Sequence, residues 1–325
     1  MSKRPLVSGP FIDASLLAFV DEQRAANEMI RIQAANVGLP GSTNPAKLRR
    51  NRLYNRDGSL RPTLASEASD RLLATAFGDV LVRIFEVAGP HAKIVHFHGG
   101  GWTFGSVYEQ DGLLSALAKR TGATVYSIDY PLAPENQLPY IIEVATAALH
   151  AIVTASPGQR VGIVGESAGA HVALCSVIGM AAPLRQRIHA MSLAYGIYDL
   201  SMTPSQRVWG DEFLGLSTPW LEYFYSLAIP GRSRDERSHP GLSPLYADLT
   251  SLPPAIFSVG ELDPLLDDSL FIFQRWLAAG NEGALCVYPA SPHGFNHAKT
   301  RMAEACNATI GDFLAANFER SSARR

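Results

Sequence analysis

Cysteine is scarce. Only three occur in 325 residues, Cys175, Cys286 and Cys306, each within an apolar stretch and none in a metal-ligand spacing. That excludes a disulfide framework and reads as reduced thiols, so a cytoplasmic location is expected. An excess of either charge is also missing: 28 Lys and Arg stand against 30 Asp and Glu, for a net −2. No basic stripe is long enough for a nucleic-acid partner, and the short cluster Lys47-Leu48-Arg49-Arg50-Asn51-Arg52 reads as a solvated face. No apolar run reaches the roughly 18 residues of a membrane span. The first twenty residues lack an apolar run after a basic start, so no signal peptide is expected. Repeats are absent, and the only biased tract is the tail Arg320–Arg325, expected to fray.

What is present is an alternation of strands and helices in a chain long enough to bury ~75% of its unfolded surface. Asp79–Val87 reads as an early strand at a sheet edge, followed by strands at Ile94–His98, Ala123–Asp129, Arg160–Val164, His189–Tyr195, Ala255–Gly260 and Ala284–Pro289. Helices are expected at Tyr140–Thr154, Ala170–Met180 and Ser269–Gly280. This rhythm implies a mainly parallel sheet flanked by helices on both faces. Residues 13–37 are helical in pattern, with Leu16, Leu17, Val20, Met29, Ile30 and Ile32 available to one broad apolar face, and Gly38-Leu39-Pro40-Gly41-Ser42 ends that element. Between 200 and 243 the rhythm breaks into an aromatic-rich stretch. The expected division is a core at 56–199 and 244–325, with a helical cap built from 1–55 and the insertion 200–243.

The most specific local pattern is Gly165-Glu166-Ser167-Ala168-Gly169, a Gly-x-Ser-x-Gly between a strand and an apolar helix. That is the context of a nucleophile elbow, where a tight turn projects the serine hydroxyl clear of the fold. Side chains at 165 or 169 would crowd neighbouring backbone. A second pattern precedes it: the strand ending at His98 runs into Gly99-Gly100-Gly101-Trp102. Attack by Ser167 on an ester carbonyl would need donors for the developing oxyanion. The N–H groups of Gly100, Gly101 and Ala168 are the candidates. His98 reads as a residue that pins this loop, not as an acid or base.

The acid and base should follow the serine in chain order. Asp263 comes directly after an apolar strand, at the strand end where α/β sheets place their chemistry, and is the candidate acid. Asp267 and Asp268 compete for that role but suit a helix N-terminus better. His293, in the loop after the last strand, is the candidate base. His293 and His297 are four apart with no third ligand in view, so neither a metal nor another cofactor is expected.

Together these segments, with Asp129-Tyr130-Pro131-Leu132-Ala133-Pro134-Glu135, Asp263-Pro264-Leu265 and Pro292-His293-Gly294-Phe295, resemble the hormone-sensitive-lipase-like (bacterial family IV) carboxylesterases over roughly residues 75 to 318. The resemblance implies an α/β-hydrolase fold and hydrolysis of short- to medium-chain acyl esters through an acyl-enzyme. It places nucleophile, acid and base on Ser167, Asp263 and His293 and the oxyanion hole on Gly100, Gly101 and Ala168. The pattern departs from the family at Glu166, Ala170 and Pro131. Trp102, Trp209, Phe213 and Phe224 are the candidates for contact with substrate, because ligand pockets are mostly apolar. A small-molecule ester is the expected partner, and the oligomeric state, a homodimer included, stays open. The same parts could serve an amidase, arylformamidase, thioesterase or lactonase, and a receptor without chemistry is a further alternative.

Overall fold

Strands with few polar residues make up the centre of a computed structural model, which describes residues 11–34, 40–41, 44–55, 59–89 and 91–320. Eight strands form one sheet: β1 (Ala68–Thr75), β2 (Gly78–Phe85), β3 (Ala92–Phe97), β4 (Ala123–Ile128), β5 (Arg160–Glu166), β6 (Ile188–Ala194), β7 (Ala255–Leu262) and β8 (Gly283–Pro292). Their spatial order is β1-β2-β4-β3-β5-β6-β7-β8. Only β2 runs against its neighbours, and β4, β3, β5, β6, β7 and β8 are mutually parallel. The parallel strands are buried on both faces, which is why they read as continuous apolar runs.

The helices are α1 (Val20–Ala34), α2 (Pro45–Leu53), α3 (Asp111–Thr121), α4 (Leu138–Thr154), α5 (Ala168–Gly179), α6 (Ala182–Arg185), α7 (Pro204–Val208), α8 (Thr218–Ala228), α9 (Arg234–Arg237), α10 (Leu266–Ala278) and α11 (Arg301–Arg320). Side chains alternate across the sheet with period two. A Cβ at Gly162 would meet Phe318 of α11, and one at Gly165 would meet Gly169 of α5, so these helices cover opposite faces. Ten of the twelve residues of α5 are buried, as its apolar sequence all round requires.

Three expectations need correction. Residues 79–87 do not form a sheet edge: β1 pairs outside β2 in full register from Ala68↔Phe85 to Thr75↔Gly78. The Leu16-to-Ile32 face is not the buried face of the first helix. Leu16 and Val20 are buried, but Leu17, Met29 and Ile32 are 50%, 55% and 63% exposed. Gln23 and Asn27 are buried in their place, since Asn27 Nδ2 donates to the Ala290 carbonyl at 2.7 Å and Gln23 accepts from Thr300 Oγ1 at 3.2 Å. The third correction concerns the basic cluster. Arg49 is turned inward from α2 and donates to the Thr103 and Ala133 carbonyls at 3.0 and 2.9 Å, so it is a clamp on the loop after β3 and not part of a solvated face. Asp268 lies in the first turn of α10, the helix N-terminus expected for it, and is fully buried among hydrogen-bond donors. Residues 1–10, 35–39, 42–43 and 321–325 lie outside the described residues, and with them parts of the expected first cap segment, its Gly-Leu-Pro-Gly-Ser terminator and the tail.

Candidate active site

The turn between β5 and α5 places Ser167 at φ 55° and ψ −125°, a backbone conformation that costs roughly 1–3 kcal/mol for a residue with a Cβ. Surrounding bonds hold it there: Ser167 N–H donates to the Ala194 carbonyl at 2.9 Å, and its own carbonyl accepts from Ala170 and His171 at 3.1 and 3.3 Å. The turn closes because position 169 is glycine; a Cβ there would stand 2.0 Å from the Phe97 carbonyl oxygen.

Three side chains distant in sequence meet at the carboxyl end of the sheet. Ser167 Oγ lies 2.9 Å from His293 Nε2, and His293 Nδ1 lies 2.9 Å from Asp263 Oδ2. Asp263 is buried, and its second oxygen accepts the Leu265 N–H at 2.8 Å. Its two neighbours at the head of α10 point elsewhere: Asp267 accepts from Ser205 N–H and Asp268 from Tyr198 N–H. The imidazole is therefore oriented by one carboxylate, with Nε2 directed at the hydroxyl, an arrangement suited to removing its proton.

Opposite the serine, the loop after β3 turns at Gly100 and Gly101, with φ of +121° and +60°. The Gly100 carbonyl accepts Phe104 N–H at 2.8 Å and Thr103 N–H at 3.1 Å, which closes the loop. Ala168 opens α5, where a backbone N–H has no acceptor in its own helix. His98 lies beneath this loop, bonded through Nδ1 to the Gly99 carbonyl at 2.9 Å and stacked on Tyr130 at 4.2 Å; burial lowers its pKa.

Glu166 is the tie between the two halves. Its carboxylate accepts Gly99 N–H at 3.1 Å, His96 Nε2 at 3.1 and 3.2 Å, and the Gln110 amide. Burial alone would raise its pKa, but the His96 imidazole and these hydrogen bonds outweigh burial and hold it at about 2. In the sequence Glu166 stands out only as a departure from the family pattern, which does not show this role. Tyr195 does not stand out there either; its ring packs edge-on against His293 at 4.9 Å and its hydroxyl donates to Asn296 Oδ1. Its position just past the end of β6, where α/β sheets carry their chemistry, was the available signal.

Ser167 and His293 open into a cavity of about 540 Å³. Of the four aromatics expected to contact substrate, Phe213 and Phe224 line it, joined by Trp220 and Leu216. The other two do not. Trp102 is fully buried beneath the loop, with Nε1 donating to His171 Nδ1 at 3.3 Å and its ring against Tyr225. Trp209 lies outside the lining and donates through Nε1 to the Glu212 carbonyl at 2.7 Å. Arg52 of α2 closes the rim, paired with Glu109 at 2.6 Å. Among the described residues, no group of three His, Cys, Asp or Glu side chains is placed to hold a metal ion, and no helix is long and apolar enough to cross a membrane.

Residues 94–297 match a family model described as alpha/beta hydrolase fold. An acetyl esterase of Salmonella paratyphi B is 31% identical over 250 residues, which are 73% of this chain and 76% of that protein. A solved hormone-sensitive lipase from a metagenome library is similar with a TM-score of 0.78 and 26% identity, covering 91% of this chain and 98% of its own. A hyperthermophilic esterase from Pyrobaculum calidifontis gives a TM-score of 0.79 at 22% identity over 90% and 97% of the two chains, a likeness of fold.

Proposed function

The chain belongs to the hormone-sensitive-lipase-like esterases of the α/β-hydrolase fold, a family of serine carboxylesterases, and we propose that it cleaves short- to medium-chain acyl esters with Ser167 as nucleophile, His293 as base and Asp263 as orienting acid. The observation that carries this reading is the unbroken relay from Asp263 through His293 to Ser167, with both links at 2.9 Å.

As Ser167 Oγ bonds to the ester carbonyl carbon, its proton passes to His293 Nε2 and the carbonyl π electrons move onto oxygen. The N–H groups of Gly100, Gly101 and Ala168 receive that oxyanion. Collapse of the adduct breaks the bond to the alcohol oxygen, which takes the proton from Nε2 and leaves. Water then adds to the acyl-enzyme by the same route, releasing the carboxylic acid and restoring the hydroxyl. Asp263 stabilises the imidazolium in both halves of the cycle. The preorganised amides supply the largest share of the acceleration, since one such donor is worth ~10²–10³ in rate.

In the same reading, residues 1–55 and 200–243 form a cap over a core of 56–199 and 244–325. The support is that Arg52, Phe213, Trp220 and Phe224 share one cavity with Ser167. At about 30 Å³ per water-sized unit, 540 Å³ holds about 18 such units, enough for a small aryl leaving group and an acyl chain of about eight carbons. Three unpaired cysteines support a reducing compartment, the cytoplasm, as its place of action.

The test is a fluorophosphonate label located by mass spectrometry, together with a graded series of p-nitrophenyl esters run beside amide, thioester and lactone analogues. Label on Ser167 and fastest turnover of esters with short acyl chains are expected. A protein that stays unlabelled, or that prefers amide or thioester, would refute the reading.

A further inference from the structure

A second cavity of about 310 Å³ lies behind the catalytic serine, between the sheet and the helices α3 and α11. Its walls are apolar, with Leu113, Leu117 and Ile310 among them. Its floor carries Glu166, His96, Ser192 and Asn296, and Glu304 and Asn307 line it as well. Ser192 is fully buried, and its Oγ has no hydrogen-bond partner among the described residues. A buried hydroxyl left unpaired is unfavourable, so Ser192 leaves one polar atom of the lining without a partner.

We propose that this cavity is a second binding site for a neutral short-chain alcohol, and that its occupant acts on the catalytic loop through Glu166. The proposal rests on the esterase reading in one respect: an alcohol of this class is a product of that reaction. The ligand's chemistry follows from the lining. The Glu166 carboxylate in the floor repels an anionic head group, and its oxygens are already taken by Gly99, His96 and Gln110. Arg120, itself paired with Asp312 at 2.7 Å, and Glu304 both line the cavity, opposite charges that favour neither an anion nor a cation. A single hydroxyl suits Ser192, and a body of about six to eight carbons suits a volume of about ten water-sized units.

The coupling is structural. Glu166 borders both cavities and holds the Gly99 N–H of the loop that carries Gly100 and Gly101. Asn296, also in the floor, accepts from the Tyr195 hydroxyl, and the Tyr195 ring packs on His293. An occupant therefore lies one side chain away from both the oxyanion loop and the base.

The experiment first blocks Ser167 with a phosphonate, then titrates the blocked protein with 1-hexanol by ligand-observed NMR. One saturable site is expected, with hexanoate binding about ten-fold or more weakly. Ala308→Trp, which fills the cavity from α11, should abolish binding, and Ser192→Ala should weaken it. If Ala308→Trp fails to fold by circular dichroism, Leu117→Trp takes its place. In unblocked protein, 1-hexanol should change the rate of phosphonate labelling in wild type and to a smaller extent in the cavity-filled variant. Absence of saturable binding, equal affinity for hexanoate, or unchanged binding in the filled variant would overturn the proposal. The two readings fail separately: no phosphonate adduct on Ser167 sinks the esterase reading, whereas an adduct without hexanol binding sinks only this site.

Discussion

The Glu166 carboxylate accepts the Gly99 N–H at 3.1 Å, so the residue before the nucleophile is bonded to the residue before the oxyanion glycines. In the proposed mechanism this one side chain links the segment of the attacking oxygen to the loop whose donors receive the charge. Glu166→Gln keeps the shape but brings an N–H to a place where acceptors are needed. A loss of ~10–100-fold in kcat is expected, with KM changed far less, because the fault lies in transition-state positioning. Steady-state kinetics on p-nitrophenyl butyrate check this. The same carboxylate, held ionised against burial by His96 and Gln110, also fixes a pH window. With a folded pKa of about 2 against an ordinary 4.5, the carboxylate's contribution to stability is complete above about 4.5 and is lost as the pH falls toward 2.

Gly101 and Phe224 form a second coupled pair. A Cβ at Gly101 would stand 2.5 Å from the Phe224 ring, at a φ of +60°. Gly101→Ala should lower kcat/KM by ~10²-fold through a displaced donor. Adding Phe224→Ala should recover part of that loss by removing the clash while leaving the backbone penalty. Full additivity in the double-mutant cycle would show that the two residues are independent.

Asp268 predicts a pH-dependent stability. It accepts from Tyr198 N–H, Asp199 N–H, Thr203 Oγ1 and Gln206 Nε2. Burial nonetheless raises its pKa to about 7, the donors only limiting the rise. The folded state then binds the proton more tightly than the unfolded chain, so this group's contribution to stability falls as pH rises from about 4 to about 7 and is flat above. Asp268→Asn should remove that slope and cost about 1–3 kcal/mol, since an amide N–H would face donors. Urea unfolding at several pH values measures both.

Phe213 lines the cavity from the segment between α7 and α8. Phe213→Ala should move the preferred acyl chain upward by about two carbons, because the lost ring leaves room for more methylenes at ~0.8 kcal/mol each. The graded p-nitrophenyl ester series reads this directly, and an unchanged optimum would place the acyl chain elsewhere.

Much of this site is legible in the chain because its chemistry needs short motifs in a fixed order. The elbow around Ser167, the glycines at 100 and 101, and the strand ends before Asp263 and His293 are each set by local backbone demands. What is illegible depends on contacts between distant segments. The edge strand β1 carries Ser69, Asp70 and Arg71 and is mostly exposed on both faces, so no alternation marks it. In α1 the apolar pattern pointed to the wrong face, since Gln23 and Asn27 turn inward to bond Thr300 and the carbonyl of Ala290. Trp102 looks like a pocket aromatic from its place after three glycines. Its φ of 56° instead turns the ring under the loop toward His171, 5.1 Å away.

The stitching of α7 onto α10 has a kinetic consequence. Ser205 Oγ donates to the Pro264 carbonyl at 2.7 Å, Ser205 N–H to Asp267 at 2.8 Å, and Gln206 bonds Asp268 and receives the Tyr225 hydroxyl. Among the described residues these bonds tie α7, the start of the proposed cap insertion, to the head of α10 and to α8. Velocity should therefore rise hyperbolically with the concentration of ester molecules in free solution and show no jump where the substrate begins to form an emulsion.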